Sequence, residues 1–284
     1  MSVVANSGAI LPDDGGRGGR RTGRLLEVLG PVALFGMFIG FWYFMSYVGM
    51  SEHRRYLVPP PHEVVRTSFL TWDNFHLMLE ALWLSARVAL TGLLISIVLG
   101  VSIAILMSQA RWIERSLYPY AVALQAVPIL AFVPLIGVLF DFNFRSRVLV
   151  CVIISLFPII ANTLFGLLSV DRSHHELFTL HGVSRRTRLL KLQVPAAMPA
   201  IFVGIRISAG LSVIGAVVGD FFFRQGQPGI GVLIDTYRAR LRNPEMYGAV
   251  MLAAFLGIAV FWFFGWLAHR VVGQWYEPTH AGGP

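Results

Sequence analysis

Residues Glu176 to Pro195 read ELFTLHGVSRRTRLLKLQVP, a polar, arginine-rich hairpin set between two apolar segments long enough to cross a bilayer. A segment of this kind lies at the water side of a membrane, where its charges need a partner. Outward from it, uncharged runs reach membrane length at Pro31 to Met50, Val88 to Ala110, Ser116 to Phe140, Val148 to Val170 and Met246 to Ala268. Each supplies the roughly 20 residues that a helix needs to cross a ~30 Å hydrocarbon layer. A further segment, Ala196 to Phe223, is equally apolar but carries Arg206 and Asp220. The expected fold is all-α and integral to a membrane, with six transmembrane helices and the hairpin between the fourth and fifth.

Composition agrees. Of 284 residues, 56% are apolar and 13% charged, against about one quarter charged in soluble domains. The first span follows Arg17, Arg20, Arg21 and Arg24, which resemble the basic region of a signal peptide. The apolar part is too long for one and no small-x-small cleavage site follows, so an uncleaved anchor is expected. The domain reading is a disordered basic cytoplasmic tail over residues 1–27, a six-span domain over 28–276 containing the 171–195 loop, and a cytoplasmic tail over 277–284. The basic tail and the Arg172 to Lys191 block favour cytoplasmic termini, because arginine and lysine collect on the inner side.

The net charge of +8 does not point to nucleic acid, since the arginines sit at membrane edges and no soluble domain carries a basic face. Cys151 is the single cysteine and lies inside a span, which excludes an intrachain disulfide. Lys191 is the only lysine and follows Leu190, so no phosphate-cradling Gly-x-x-x-x-Gly-Lys-Ser/Thr loop exists. The chain is read as no enzyme: any ATP and its Mg²⁺ belong to a partner, and no cofactor or metal is expected here. His175 and His181 stand six apart and share no helical face for zinc. Gly219-Asp220 has no second intramembrane acid for aspartyl chemistry, and no Gly-x-Ser-x-Gly elbow occurs.

Within the hairpin, Asp171 to His181 suit a short helix with Asp171 or Ser173 as N-cap, and Gly182 suits its stop because glycine takes the left-handed conformation at little cost. Ser184 can cap a second helix through Gln193. Pro195 disfavours helix at Val194, so a sharp elbow into the fifth span is expected.

The layout of Glu176, Gly182 six residues on, then nine residues to Leu192 and the pair Val194-Pro195, resembles the cytoplasmic "EAA" loop of ATP-binding-cassette import permeases. That pattern runs Glu-Ala-Ala, three residues, Gly, nine residues, Ile, one residue, Leu-Pro. Here Leu177 and Phe178 replace the alanines. The resemblance covers about Phe75 to Arg270. Gln125-Ala-Val-Pro128 with Pro134, Phe157-Pro158, Asn162-Thr163 and Pro199-x4-Gly204-Ile-Arg206 look like the branch serving sulfonates, taurine, nitrate and thiamine- or flavin-precursor heterocycles. Asp220 stands where that branch more often has glutamate.

The resemblance implies a type I importer permease in a bacterial plasma membrane, built as a homodimer or heterodimer with two ATPase subunits and one extracytoplasmic binding protein. It implies a coupling helix seated in an ATPase groove: Leu177, Phe178 and Leu180 as apolar knobs, Glu176 orienting the loop, and Arg185, Arg186 and Arg188 on the rim, with Gly182 and Pro195 shaping it. An ion-gradient-driven secondary transporter is the competing class, but it wants a mid-membrane carboxylate, and Asp220 falls near an edge.

Pro128, Pro134 and Pro158 fall inside spans and free backbone carbonyls, which marks helices around a translocation path. Gln125, Ser155 and Asn162 then face that path or bond between helices; both readings stand. Arg206 snorkels, bonds a neighbour, or binds anions. Gly36 with Gly40, and Gly215 with Gly219, permit close helix contact, the second pair at a dimer seam or within the chain. Pro59 to Leu84 is expected as an interfacial helix carrying Trp72, Phe75 and Trp83, and Val232 to Leu241 as a small outer helix whose Arg238, Arg240 and Arg242 are solvated or meet a binding protein.

Overall fold

The computed structural model describes residues 19–126 and 128–273, with side chains from Leu29 onward. The described residues are helical or in turns. They form two units, residues 1–63 and 64–284.

In the first unit, α1 (Gly19–Phe44) runs on into a π-turn, Met45–Gly49, and a 3₁₀ turn, Glu52–Leu57. The helix begins inside the expected tail, ahead of residue 28; residues 1–18 and the tail 277–284 lie outside the described residues. From Leu29 to Gly49 it is apolar and almost wholly exposed, Val32, Phe35, Met37 and Phe41 included. A helix apolar on every side belongs in lipid. Its far end is tied down locally: Trp42 donates to the Pro59 carbonyl at 3.0 Å, and the Tyr43 ring stacks on His62 at 5.9 Å.

Next comes a short helix, α2 (Pro61–Val65), prolonged by a π-turn at Arg66–Leu70. The second unit continues as α3 (Trp72–Gln109), a single helix of 38 residues. The expected interfacial helix therefore ends at Leu70, and Trp72, Phe75 and Trp83 belong to the long helix. No proline or glycine separates Trp72 from Val88, so nothing stops the helix between those positions. At 1.5 Å per residue α3 is about 57 Å long and overshoots the hydrocarbon layer.

The expected third span, Ser116 to Phe140, is broken. It forms α4 (Arg111–Ala126) and α5 (Ile129–Phe140), bent by 98°. Pro128 sits at the break as N-cap of α5 with φ −69° and ψ 88°, and it has no N–H to donate to a continuing helix. Five described helices are long and apolar enough to cross a membrane, or six if the bent pair counts as one span.

α6 (Phe144–Leu168) starts earlier than Val148, because Asn143 caps it by accepting from the backbone of Arg145 and Ser146. Arg147 thereby falls inside the helix. α7 (Arg172–Leu180), α8 (Arg185–Arg188) and α9 (Val194–Phe222) follow, then α10 (Ile230–Ala239) and α11 (Asn243–Val272). A π-turn at Leu189–Gln193 joins α8 to α9, giving one continuous helix, Arg185–Phe222, of 38 residues. The expected elbow at Pro195 is absent. Val194 is helical at φ −64° and ψ −48°; the wider π-turn beneath it accommodates the proline ring and its missing N–H.

The core lies where α9 packs along α6, with α3 against both. Val88, Leu93, Cys151, Ile159, Ala209 and Val213 fill it. Small residues let the backbones approach. A Cβ at Gly215 would lie 3.0 Å from the Cα of Cys151, and one at Gly219 3.6 Å from the Cα of Arg147. That pair is a seam between α9 and α6 of one chain, not a surface left for a second copy. Gly36 and Gly40, by contrast, have nothing within 4 Å of an added Cβ.

Candidate functional site

Two clusters of polar residues stand at opposite ends of α9. At the 171–195 end, α7 follows Asp171, whose extended backbone caps the helix without a side-chain hydrogen bond. The helix ends in two bonds, from the Gly182 N–H to the Thr179 carbonyl at 3.0 Å and from the Val183 N–H to the Phe178 carbonyl at 3.2 Å. Gly182 takes φ +62°, the left-handed turn that closes such an end. Ser184 then caps α8 by accepting from the Thr187 N–H at 3.2 Å. The reversal thus lies at Gly182 to Ser184.

α7 projects outward. Leu180 is 85% exposed and Leu177 52%, Phe178 is half-buried, and Glu176 is exposed without an ion pair among the described residues. Exposed leucines beside a water-facing acid form a surface that costs free energy until it is covered. Arg185 and Arg186 are exposed as expected for a rim. Arg188 is not a rim residue: it is half-buried and donates to the Thr179 hydroxyl at 2.8 Å, tying α8 back to α7.

At the other end, Asp220 and Arg147 are buried together. Asp220 Oδ1 lies 3.1 Å from the guanidinium, Ser85 donates to Oδ2 at 2.5 Å, and the Gly231 N–H reaches it at 3.4 Å. Arg147 also donates to the carbonyls of Phe223, Gln225 and Gln227. This one pair joins α3, α6, α9 and the segment leading to α10. The Ser85 hydroxyl also accepts from the Ile230 N–H at 2.9 Å. Gly229 is required by proximity, since a Cβ there would fall 2.0 Å from Asp220 Oδ2.

Beyond that segment, α10 packs Ile230, Leu233, Ile234 and Tyr237 against Met78, Ala81 and Ala249. Its arginines are mostly engaged. Arg238 pairs with Asp235 at 2.7 Å, Arg242 with Glu245 at 2.6 Å, and Arg224 also holds Asp235. Arg240 is exposed and unpaired among the described residues.

Of the residues expected around a path, Asn162 and Arg206 share one recess and the others lie apart from it. Gln125 and Pro128 are exposed at the α4–α5 break. Ser155 is fully buried: its hydroxyl meets Ser96 at 2.7 Å, and its carbonyl accepts from Ser208 at 2.6 Å, so here it holds α3, α6 and α9 together. Asn162 donates to the Pro158 carbonyl at 2.8 Å and shares an open recess with Arg206. Arg206 lies 4.1 Å over the Phe261 ring of α11.

Sequence reasoning missed Arg147 and Ser85. The signal was Asp220 itself: a carboxylate in an apolar segment demands a counter-charge, and Arg145 and Arg147 border the adjacent span.

Comparison with known proteins bears on the family and the fold. Residues 92–273 match the family described as "Binding-protein-dependent transport system inner membrane component". The chain is 32% identical to the formylaminopyrimidine transport permease protein ThiX of Halalkalibacterium halodurans, over 84% of this chain and 92% of that one. It is 30% identical to the nitrate import permease protein NrtB of Leptolyngbya laminosa over 66% of each. The solved inward-facing structure of the MetNI methionine ABC transporter superposes with a TM-score of 0.59, at 14% identity, covering 72% of this chain and 98% of that one. At that identity the likeness concerns the fold.

Proposed function

We propose, for a chain that belongs to the family of binding-protein-dependent transport inner membrane components and so is a permease subunit of an ABC importer, that its 171–195 hairpin is where ATP hydrolysis on a separate subunit drives it. The observation that carries this reading is α7, whose exposed Leu177 and Leu180 stand beside an unpaired Glu176 on a helix end fixed by Gly182. Apolar groups held out on a rigid turn need a groove, and an ATPase subunit supplies one. Phe178 and the exposed Arg185 and Arg186 complete the contact. Pro195 acts within the continuous helix above it.

The assembly has two permease copies, two ATPase subunits carrying ATP and Mg²⁺, and one external binding protein, in a bacterial plasma membrane with both termini cytoplasmic. One hairpin per chain calls for a second permease, read as a second copy of this chain, with a heterodimer as the alternative. The cargo is a small organic or inorganic anion such as a sulfonate, taurine or nitrate, or a pyrimidine or flavin precursor; the names of ThiX and NrtB support these classes. Gln125, Pro128, Ser155, Asn162 and Arg206 belong to helices around the path. A gradient-driven mechanism is disfavoured because Asp220 is occupied by Arg147.

The test is uptake by proteoliposomes holding the purified complex, with ion gradients collapsed. ATP-dependent accumulation is expected, and it is expected to vanish for Leu180→Asp together with ATPase co-purification. Undiminished uptake and ATPase recovery with Leu180→Asp overturn the coupling role.

A further inference from the structure

Arg206 is the one charged residue of α9 other than Asp220, and the two differ in a way that matters. Asp220 is buried and paired; Arg206 is exposed and has no carboxylate and no hydrogen-bond acceptor among the described residues. It stands about 21 Å from Asp220 along the helix at 1.5 Å per residue, well inside a bilayer-spanning segment. A charge at such depth is costly, and where it occurs it faces a bundle interior or a water-filled cavity.

The guanidinium carbon lies 4.1 Å from the centre of the Phe261 ring, a cation–π contact. Gly265 leaves the room: a Cβ there would come within 3.2–3.5 Å of the guanidinium atoms. The guanidinium N–H groups meet no acceptor among the described residues, which leaves them available to an oxyanion through two parallel hydrogen bonds. Arg206 borders a recess of about 720 Å³ between α6, α9 and α11, lined also by Asn162, Ser169, Ala200, Val203 and His269. Phe165 and Phe202 also line it, and no acidic side chain among the described residues does.

Building on the permease reading above, we infer that this recess is a binding site for a small soluble oxyanion, with Arg206 as the receiving cation. Cargo with a sulfonate, carboxylate or nitrate group would dwell there as it passes along α9.

The test uses charge-selective thiol labelling. Cys151 is fully buried, so Val203→Cys in a Cys151→Ala background places a lone reactive thiol one helical turn from Arg206. The purified full complex, in phosphatidylcholine vesicles, is treated with a negatively charged and a positively charged methanethiosulfonate reagent. The anionic reagent is expected to react about tenfold faster relative to the cationic one than it does with an Arg206→Gln variant, since the two probes differ by two charges near a fixed cation. Arg206→Lys is expected to keep most of that preference, which guards against misfolding of the Gln form. Equal ratios with and without Arg206, or no reaction with either reagent, overturn the site. Slowing of the anionic reagent by added phosphatidylglycerol assigns the recess to a lipid headgroup and equally overturns it. ATPase recovery in the same preparations reports separately on the permease reading.

Discussion

Arg147 and Asp220, on neighbouring helices, form a buried ion pair at 3.1 Å, and each member is also tied to a different segment: Asp220 to Ser85 on α3, Arg147 to the carbonyls that precede α10. Removing one partner leaves the other charge buried and uncompensated, which costs about 3–5 kcal/mol. Arg147→Met and Asp220→Leu are each expected to lower the melting temperature of the detergent-purified protein sharply. The double variant is expected to melt above either single one. A double variant that melts at the sum of the two losses would show that the residues act independently.

Gly229 and Gly210 should respond oppositely to an added methyl group. At Gly229 the Cβ meets the Asp220 carboxylate, whereas at Gly210 nothing lies within 4 Å. Gly229→Ala is expected to destabilise by about 1–3 kcal/mol, as overpacking does. Gly210→Ala is expected to be neutral or stabilising by up to about 1 kcal/mol, the helix preference of alanine over glycine. Thermal melting of the two variants side by side checks this.

The left-handed Gly182 sets how α7 leaves the membrane surface. Gly182→Val is expected to cost about 1–2 kcal/mol locally, because a side chain at φ +62° clashes with its own backbone. Since nothing packs there, the loss should appear in ATPase co-purification and uptake while global melting stays unchanged. Gly182→Asn, which tolerates the same conformation, is expected to retain both.

Arg188 ties the two arms of the hairpin through Thr179. Arg188→Ala is expected to leave ATPase binding near normal and to reduce uptake per ATP hydrolysed, because α7 then moves without carrying α8. The ratio of transported cargo to released phosphate in proteoliposomes measures this.

Pro195 lies inside a continuous helix. Pro195→Ala restores an N–H without changing the path of the chain, so expression, melting and uptake are expected to stay within error of the parent. Loss of uptake would restore to Pro195 the elbow role that its position in the sequence had implied.

Much of this was legible from residue order. The hairpin announced itself through Gly182 and Ser184, whose conformational preferences are local, and both act as their chemistry requires. Span positions followed from hydropathy for the same reason, apart from the third, which is broken into α4 and α5. What sequence did not reveal depends on neighbours. Pro195 looked like a breaker because proline is judged against an ideal α-helix, and a five-residue π-turn below it removed the conflict. Ser155 looked equally suited to a channel wall or a helix seam, and only the placement of Ser96 and Ser208 decides where its hydroxyl and carbonyl go. Gly215 and Gly219 have the same spacing whether they meet a second chain or α6. The Arg147–Asp220 pair required knowing which span lies beside which.

The unbroken run from Arg185 to Phe222 has a mechanical meaning. At 1.5 Å per residue, 38 residues make a rod about 57 Å long. A rod that does not flex converts a tilt of about 5° at one tip into a sweep of about 5 Å at the other. The foot of this rod is the arginine-bearing arm of the hairpin, and its head carries Asp220, clasped to three other segments. On the proposed coupling, a push delivered at the foot would reach the far face as motion of that clasped assembly.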